Sequence, residues 1–305
     1  MSVAAPSSHD QPRTTEPSVY QIRDLIYRTA GIFHSDTNLR FLADRCGRRM
    51  QDLQVKTLRA YLERLTQPGT GRDEMVKLLN EVTIGETCFF RSQHQLDALK
   101  SIIWPRIIAA RSTSSSRKLR IWSAGCSTGE EPYTLAIMFL EESATLFKGW
   151  TFDIQATDLN ERSLEHAQAA IYGDYSTRNL TARIRQKFFV PVEGGLQVKP
   201  DVRKLVTFSR LNLLDSARMS LMKDMDLIFC ANVLIYFDLN SKRTVIRHFF
   251  NSLLAHGYLF LGHSESLYGV CDQFKLVHLP SATAYVKVQP QPAGELNPCP
   301  LSIAI

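Results

Sequence analysis

The chain of 305 residues is long enough for one large domain or two modest ones, and its 44% hydrophobic residues argue against wholesale disorder. A net charge of +6 permits an acidic partner but does not indicate a dedicated nucleic-acid binder. The six cysteines form no CxxC pair and have no histidine at metal-ligand spacing, so we expect free thiols, no metal site and a cytoplasmic location. No run of 18 apolar residues exists, so no membrane insertion is expected.

The first part of the chain has helical periodicity. Residues 1–18 are rich in serine, proline and threonine and are predicted to form a disordered tail, as are residues 289–305. Four amphipathic segments lie between residues 19 and 80, and helices this short must pack on one another. We therefore predict an N-terminal helical domain that, with the linker after it, spans residues 19–92.

Residues 40–64 of this part are markedly basic. They contain seven arginines or lysines against three acidic residues, and Arg45, Arg48 and Arg49 are spaced to share one helix face. This face is either a solvated surface or a docking surface for an acidic partner, and the sequence alone leaves both interpretations open.

After residue 93 the pattern changes to strands that alternate with helices. The runs LRIWSA, FDIQATD, LVTFSRL, DLIFCANV and YLFLGHS are strand-like, and helical runs separate several of them. This alternation predicts a parallel α/β domain over residues 93–288, with TAYVKV as a last edge strand. A Glu-Gly-Gly break within about 172–210 predicts a small antiparallel β-subdomain inserted there.

The stretch SAGCSTGEEPY at 123–133 is the predicted first strand-to-helix turn, where α/β folds bind ligands. Gly125 permits the close approach of a ligand. Glu130 and Glu131 occupy the helix start that a phosphate would prefer, so they disfavour a nucleotide phosphate and favour a cationic ligand that carries a nucleoside. The alternative is that both glutamates only cap the helix, next to Pro132.

Asp158 ends the second predicted strand, in ATDLN. A carboxylate at this point of an α/β fold accepts hydrogen bonds from ribose hydroxyls. It is alternatively the N-cap of the next helix, but Asn160 suits that task equally well and leaves Asp158 available to a ligand.

Together these motifs resemble the chemotaxis-receptor methyltransferases, the CheR family. The resemblance rests on VTIGETCFFR, IWSAGCSTGEEPYTLA, ATDLN, LNLL, CANVLIYFD and GYLFLGHSESL, in the expected order over about residues 20–288. It implies a class I S-adenosylmethionine-dependent methyltransferase domain with a β-subdomain insert, preceded by an all-α domain. It also implies methylation of glutamate side chains on the cytoplasmic domains of methyl-accepting chemoreceptors. We expect the enzyme to be a monomer and to bind no nucleic acid.

The resemblance also implies roles for individual residues. The expected cofactor-binding residues are Thr87, Arg91, Gly125, Glu130, Asp158, Asn212, Leu213, Asn232 and Val233. Among these, Arg91 is expected near the methionyl carboxylate, Glu130 near the ammonium and Asp158 at the ribose. Tyr236 and Arg106 are the expected catalytic residues, with Tyr236 beside the transferable methyl group. Tyr236 is alternatively a core aromatic at a strand end.

Three features depart from the family pattern. Gly85 stands where the family often has asparagine, so one cofactor contact is expected to be missing or made by backbone. Ala231 stands where the family usually has arginine, which bears on how substrate is oriented. The loop VEGGLQ is short, so we expect no tether for a receptor C-terminal peptide.

The chemistry needs few catalytic groups. A glutamate carboxylate is ionised at neutral pH and is its own nucleophile, so no general base is required. The enzyme must align the reacting atoms and exclude water, and a tyrosine hydroxyl suits the orientation of a carboxylate.

Three alternatives remain at this point. The first is a methyltransferase for another acceptor such as RNA, and the second, motivated by Ala231, is a non-catalytic signalling module that binds S-adenosylmethionine. The third is a serine hydrolase, because Gly262-His263-Ser264-Glu265-Ser266 follows a strand. The nucleophile elbow of such enzymes requires glycine where this chain has Ser266.

Overall fold

The N-terminal part is a four-helix bundle. The computed structural model describes residues 16–83, 85–112, 114 and 116–288. The bundle helices are α1 (Pro17–Ala30), α2 (Leu39–Asp52), α3 (Leu58–Thr66) and α4 (Thr70–Val82). The tails predicted at 1–18 and 289–305 lie outside the described residues except at the start of α1. There the prediction was two residues too long, since Pro17 occupies the first helical turn that proline favours.

The bundle buries one apolar face of each helix, and it also buries one of the predicted surface arginines. Arg49 on α2 is 4% exposed and forms two 2.9 Å hydrogen bonds to the carboxylate of Glu74 on α4. Arg48 is exposed and lies 3.8 Å from Glu81. The prediction that Arg49 shares a surface with Arg48 was therefore wrong, because neighbouring residues of a helix point about 100° apart.

The second part is built on a seven-stranded sheet in the order β6-β2-β1-β7-β8-β10-β9. Its first five strands are parallel, and β10 and β9 complete it as antiparallel strands. The strands are β1 (Lys118–Ala124), β2 (Thr151–Asp158), β6 (Val206–Arg210), β7 (Met225–Cys230), β8 (Leu253–Leu261), β9 (Phe274–Leu279) and β10 (Ala282–Lys287).

A separate three-stranded antiparallel sheet follows the second α/β unit. It consists of β3 (Ile171–Tyr172), β4 (Phe189–Val192) and β5 (Gly195–Val198), in the order β3-β5-β4. The predicted subdomain therefore ends before residue 206. The strand β6, which the prediction placed inside it, pairs with β2 from Ile154↔Val206 onwards.

Helices cover both faces of the main sheet. They are α5 (Gln93–Ala98), α6 (Trp104–Ala110), α7 (Glu130–Glu142), α8 (Glu161–Ala169), α9 (Asp174–Thr177), α10 (Ala182–Phe188), α11 (Pro200–Arg203), α12 (Ser216–Met219) and α13 (Leu239–Ser252). A π-helical turn at Leu99–Ile103 joins α5 to α6. No helix among the described residues is both long and apolar enough to cross a membrane.

The predicted parallel α/β domain is confirmed, with one difference at its far edge. TAYVKV forms β10, which lies inside the sheet between β8 and β9 and is not the edge strand. The edge strand β9 pairs with β10 through six residues, so it shields β10 from solvent. The ends of β1, β2 and β7 meet at one edge of the sheet, as parallel strands must, and this edge positions the candidate site.

Candidate active site

A cavity of about 320 Å³ opens at the carboxyl edge of the sheet. The loops after β1, β2, β6 and β7 form its floor, and the linker at 85–92 and the end of α1 form its walls. Nine of the eleven predicted site residues line it: Thr87, Arg91, Gly125, Asp158, Asn212, Leu213, Asn232, Val233 and Tyr236. Glu130 and Arg106 do not.

Gly125 brings two of these loops into contact. Its φ of 78° is a left-handed conformation that favours glycine, and a Cβ atom added there would lie 2.4 Å from Cγ2 of Val233. Its backbone N–H donates to the carbonyl of Thr157 at 2.7 Å, which fixes the turn against the end of β2. A larger residue at this position would push the loops after β1 and β7 apart.

The two adjacent glutamates of α7 occupy different environments. Glu130 is 1% exposed and accepts hydrogen bonds from the hydroxyls of Thr128 (2.6 Å) and Ser176 (2.8 Å), outside the cavity lining. Glu131 lines the cavity and accepts a hydrogen bond from the hydroxyl of Ser123 at 2.7 Å. The structure thus brings Glu131, not Glu130 as predicted, to the ligand side, because the helix rotates by about 100° between them.

Glu131 is electrostatically unusual. Burial raises the pKa of its carboxyl group to about 7, although the hydrogen bond from Ser123 and the positive charge of Arg91 oppose that rise. A carboxylate that is poorly solvated in this way gains from a cation placed beside it. The cavity therefore contains a group suited to an ammonium or sulfonium ligand.

Asp158 ends β2 and faces the cavity. Its two oxygens accept the backbone N–H groups of Ser127 and Asn160, each at 2.8 Å. Burial raises its pKa, and these backbone hydrogen bonds oppose the rise. The side chain of Asn160 accepts from Ser163 N at 3.0 Å and caps α8, so Asp158 is not the cap of that helix.

The loop after β7 is braced by a residue whose role the sequence did not reveal. Asn232 has a φ of 61°, and its N–H donates to Glu265 at 2.8 Å. The same carboxylate accepts the N–H groups of Gly262 (2.7 Å) and Ile235 (3.2 Å). Glu265 belongs to GHSES, which the sequence suggested only as a doubtful nucleophile elbow. Its three backbone hydrogen bonds give it a structural function instead.

Tyr236 and Arg91 face the same cavity. Burial raises the pKa of Tyr236, while the positive charge of Arg91 opposes that rise. Arg91 donates to the carbonyl of Glu86 at 2.5 Å. The linker that carries it is held by the N–H of Phe90, which donates to the hydroxyl of Thr134 at 3.1 Å. These contacts hold the linker in place, and Arg91 faces the cavity from it.

Arg106 is not part of this site. It lies exposed on α6, because its neighbours Trp104 and Ile107 are buried in the core on the opposite side of that helix. The prediction of Arg106 as a catalytic residue was wrong. Arg91 is the arginine that the structure brings near Tyr236.

Two residues that depart from the family pattern, Gly85 and Ala231, lie at the cavity. A Cβ atom at Gly85 would lie 2.3 Å from the hydroxyl oxygen of Ser127, which itself donates to the carbonyl of Gly85 at 3.3 Å. Ser127 thus occupies space that a side chain at 85 would need. Ala231 lines the cavity and offers no polar side-chain group there.

The described side chains fit S-adenosylmethionine. Glu131 is an anion of the kind that suits its cationic portion, and the Asp158 carboxylate is of the kind that suits ribose hydroxyls. Leu213 and Val233 supply apolar surface for a base. Asn212 lines the cavity, but its side chain donates to the carbonyl of Thr29 (2.7 Å) and accepts from Leu214 N (3.0 Å), which ties α1 to this loop.

Comparisons with known proteins match both parts of this architecture. The family model described as the CheR methyltransferase all-alpha domain matches residues 19–83, and the model described as the CheR methyltransferase SAM binding domain matches residues 85–283. Chemotaxis protein methyltransferase 2 of Vibrio cholerae serotype O1 is 32% identical, over 90% of this chain and 93% of that protein. Chemotaxis protein methyltransferase 1 of Pseudomonas aeruginosa is 34% identical, over 86% and 95%. The chemotaxis protein methyltransferase of Escherichia coli K12 is 32% identical, over 84% and 86%. Because both family domains and nearly full-length relatives match in order, the chain belongs to the CheR methyltransferase family.

Proposed function

We propose that the protein transfers a methyl group from S-adenosylmethionine to glutamate side chains of chemoreceptor cytoplasmic domains, forming methyl esters. The observation that carries the proposal is the presence of Glu131, Asp158 and Tyr236 in one cavity of a CheR-type S-adenosylmethionine-binding domain. The relatives named above are chemotaxis protein methyltransferases, which supports a receptor of that system as the acceptor.

The residues around the cavity divide between holding the cofactor and orienting the acceptor. Glu131 would hold the ammonium and Asp158 the ribose hydroxyls, as charge-assisted hydrogen bonds. Thr87 and Arg91 would approach the methionyl carboxylate from the linker. Asn212 and Leu213 would border the adenine, and Asn232 and Val233 would support the cofactor from below.

The chain's own contribution to the reaction is orientation and desolvation. When bound, S-adenosylmethionine supplies a methyl group that is already electrophilic on its sulfonium. A tyrosine hydroxyl, whose pKa is ordinarily near 10, is protonated at neutral pH, and burial raises the pKa of Tyr236 further. A protonated phenol can donate a hydrogen bond to an incoming carboxylate. The apolar surface around it removes water from that carboxylate, which is itself the nucleophile.

The proposal extends to the oligomeric state, the cellular location and the turn between β4 and β5. We propose that the active unit is a monomer. Five described cysteines are free thiols, which is consistent with work in the cytoplasm. The turn between β4 and β5 closes directly at Val192↔Gly195, so we propose that no receptor peptide is tethered there.

The test is incubation of the purified protein with methyl-labelled S-adenosylmethionine and membranes that carry chemoreceptors of the same organism. We expect label that alkali releases as methanol, since carboxyl esters hydrolyse and N-methyl groups do not. The Ala231→Arg variant should be at least as active if the missing guanidinium limits substrate orientation. Alkali-stable label would indicate another acceptor. Calorimetric binding of S-adenosylmethionine without transfer to any receptor would indicate a sensing module.

A further inference from the structure

The exposed face of α13 carries a row of side chains at four-residue spacing, which we call the α13 stripe: Leu239, Arg243 and Arg247. All three are exposed, and residues four apart lie on one helix face about 6 Å apart along its axis. The helix contains three cations, with Lys242 beside the stripe, and no acidic residue. Among the described residues, neither arginine side chain has an ion-pair or hydrogen-bond partner. The stripe is therefore a positive surface without internal neutralisation.

The stripe begins at the mouth of the cavity. Phe237 lines the cavity and is followed by Asp238, which caps α13 by accepting from Ser241 N at 2.8 Å. Ile235 also lines the cavity and is 51% exposed, and Leu239 is 48% exposed. Ile235 and Leu239 therefore place exposed apolar side chains near Tyr236 in the chain.

The N-terminal bundle adds one more apolar side chain at the same place. Phe33 is 51% exposed, and its N–H donates to the carbonyl of Tyr236 at 2.9 Å. A backbone bridge between Ile32 and Phe237 extends this contact. Phe33, through this contact, and Ile235 and Leu239, through their position in the chain, thus place half-exposed apolar side chains near Tyr236. Exposed apolar groups that adjoin charged ones are typical of interaction sites.

Three of the four arginines of α2 are less available than those of the α13 stripe, and only Arg40 is exposed without a partner among the described residues. Arg49 is buried against Glu74, and Arg48 lies within ion-pair distance of Glu81. The guanidinium of Arg45 stacks over the ring of Phe41 at 4.7 Å. Among the described residues, Arg243 and Arg247 have no such neighbours, and α13 begins three residues after Tyr236.

We propose that the α13 stripe, with Phe33 and Ile235, docks an acidic helical segment of the methyl-accepting protein. The inference rests on the proposed function. The glutamate to be methylated would enter beside Tyr236, and apolar residues flanking it would pack on Phe33, Ile235 and Leu239. Further carboxylates one and two helical turns away along the segment would pair with Arg243 and Arg247. Charge complementarity selects an acidic occupant, and the four-residue spacing selects a helical one.

The test compares Arg243→Glu with Arg106→Glu. Both arginines are exposed, neither has a side-chain partner among the described residues, and Arg106 lies on α6 away from the cavity lining. The substrate is a purified, soluble chemoreceptor cytoplasmic fragment of the same organism. For Arg243→Glu we expect KM for the fragment to rise about fivefold at low salt and the rise to shrink at 0.5 M NaCl. We expect unchanged kcat and unchanged Kd for S-adenosylmethionine. Arg243→Lys should stay near wild type, and Arg106→Glu should stay within about twofold.

Each contrary outcome has a distinct meaning. If wild type methylates the fragment but Arg243→Glu and Arg106→Glu share the same KM, the docking inference is overturned and the proposed function stands. If wild type forms no methyl ester on any receptor, the proposed function fails and the inference falls with it. If Arg243→Glu loses binding to poly-uridylate while KM is unchanged, the α13 stripe serves nucleic acid and the inference is overturned.

Discussion

Glu130 and Glu131 are adjacent in sequence but face different surroundings, and their substitution should separate two functions. Glu131→Gln removes the charge that faces the cavity, so we expect S-adenosylmethionine binding to weaken by about 1.5–3 kcal/mol, the range for a hydrogen bond to a charged group. Glu130→Gln changes a residue held by Thr128 and Ser176, and its effect on affinity should stay below about 0.5 kcal/mol. Isothermal titration calorimetry at pH 8 measures both.

The same substitution should alter the pH dependence of binding. Burial raises the pKa of Glu131 to about 7 in the free protein, so below that pH the carboxyl group must lose a proton before it can hold a cation. Affinity should therefore fall by about tenfold per pH unit below 7 and level off above it, and Glu131→Gln should abolish this slope. A wild-type affinity that is flat from pH 5.5 to 8 would contradict the role of Glu131.

At the residue scale, the sequence predicted positions well wherever the sheet determines them. Asp158 was expected at the site because it ends a predicted strand of the parallel sheet, whereas Asn232 was expected there only from the family resemblance, and both line the cavity. The choice between Glu130 and Glu131 depends on the rotation of α7, and the position of Arg106 depends on which face of α6 is buried. Neither the rotation of α7 nor the buried face of α6 can be predicted from the local spacing of residues. Glu265 could not be predicted because its partners are backbone N–H groups up to 33 residues away.

At the element scale, three helices of the N-terminal bundle meet on one buried carboxylate. Glu74 accepts from Arg49 and from the hydroxyl of Tyr61 at 2.9 Å. Glu74→Ala leaves the guanidinium and the hydroxyl buried without this acceptor. We expect the free energy of unfolding to fall by about 3–5 kcal/mol, the cost of removing one partner of a buried ion pair. Urea denaturation followed by far-ultraviolet circular dichroism measures the change.

Two further variants test whether the loss of stability in Glu74→Ala arises from the burial of this ion pair. Arg48→Ala, next to Arg49 but exposed, should change the free energy of unfolding by less than about 0.5 kcal/mol. The double variant Arg49→Met, Glu74→Met should be more stable than Glu74→Ala, since it removes both charges together. A loss below 1 kcal/mol for Glu74→Ala would show that water or other groups replace the missing partner.

Pairing between distant strands limited what could be predicted about elements. Alternating strands and helices identified the parallel sheet correctly, since that pattern is local. The run LVTFSRL was recognised as a strand, but its pairing with β2 is a contact across about 50 residues that no local pattern encodes. The edge strand β9 was not predicted because Lys275 and His278 interrupt the apolar residues of FKLVHL. These polar residues are tolerated because four of the six residues of β9 are partly or fully exposed.

At the scale of the whole molecule, the two domains share the cavity because they are joined around it. The side-chain amide of Asn160, the residue that caps α8, donates to the carbonyl of Asn80 (3.1 Å) and to the hydroxyl of Thr83 (2.8 Å) at the end of α4. Tyr27 donates to Asp238 at 3.0 Å on the other side of the cavity. The helical bundle therefore forms one wall of the site. Loosening its attachment should weaken the binding of S-adenosylmethionine without changing the loop that carries Tyr236.

Asn160→Ser tests this arrangement, because serine keeps an N-cap for α8 but cannot reach Asn80 and Thr83. We expect the free energy of unfolding to fall by about 1–2 kcal/mol and Kd for S-adenosylmethionine to rise about threefold or more. Because Asn160 also lines the cavity, amide hydrogen exchange and not Kd reports on the attachment. Amide hydrogen exchange, measured without cofactor so that no ligand contact contributes, should become faster at residues 79–83.

The control variant is Arg162→Ala, which removes only an exposed ion pair with Glu81 in the same interface and should change exchange little. Equal exchange in Asn160→Ser and wild type would mean that the remaining contacts of the bundle, such as the hydrogen bond from Tyr27 to Asp238, hold α4 in place without this amide. In that case the buried amide serves only to cap α8, and the coupling between domain attachment and cofactor affinity does not pass through it.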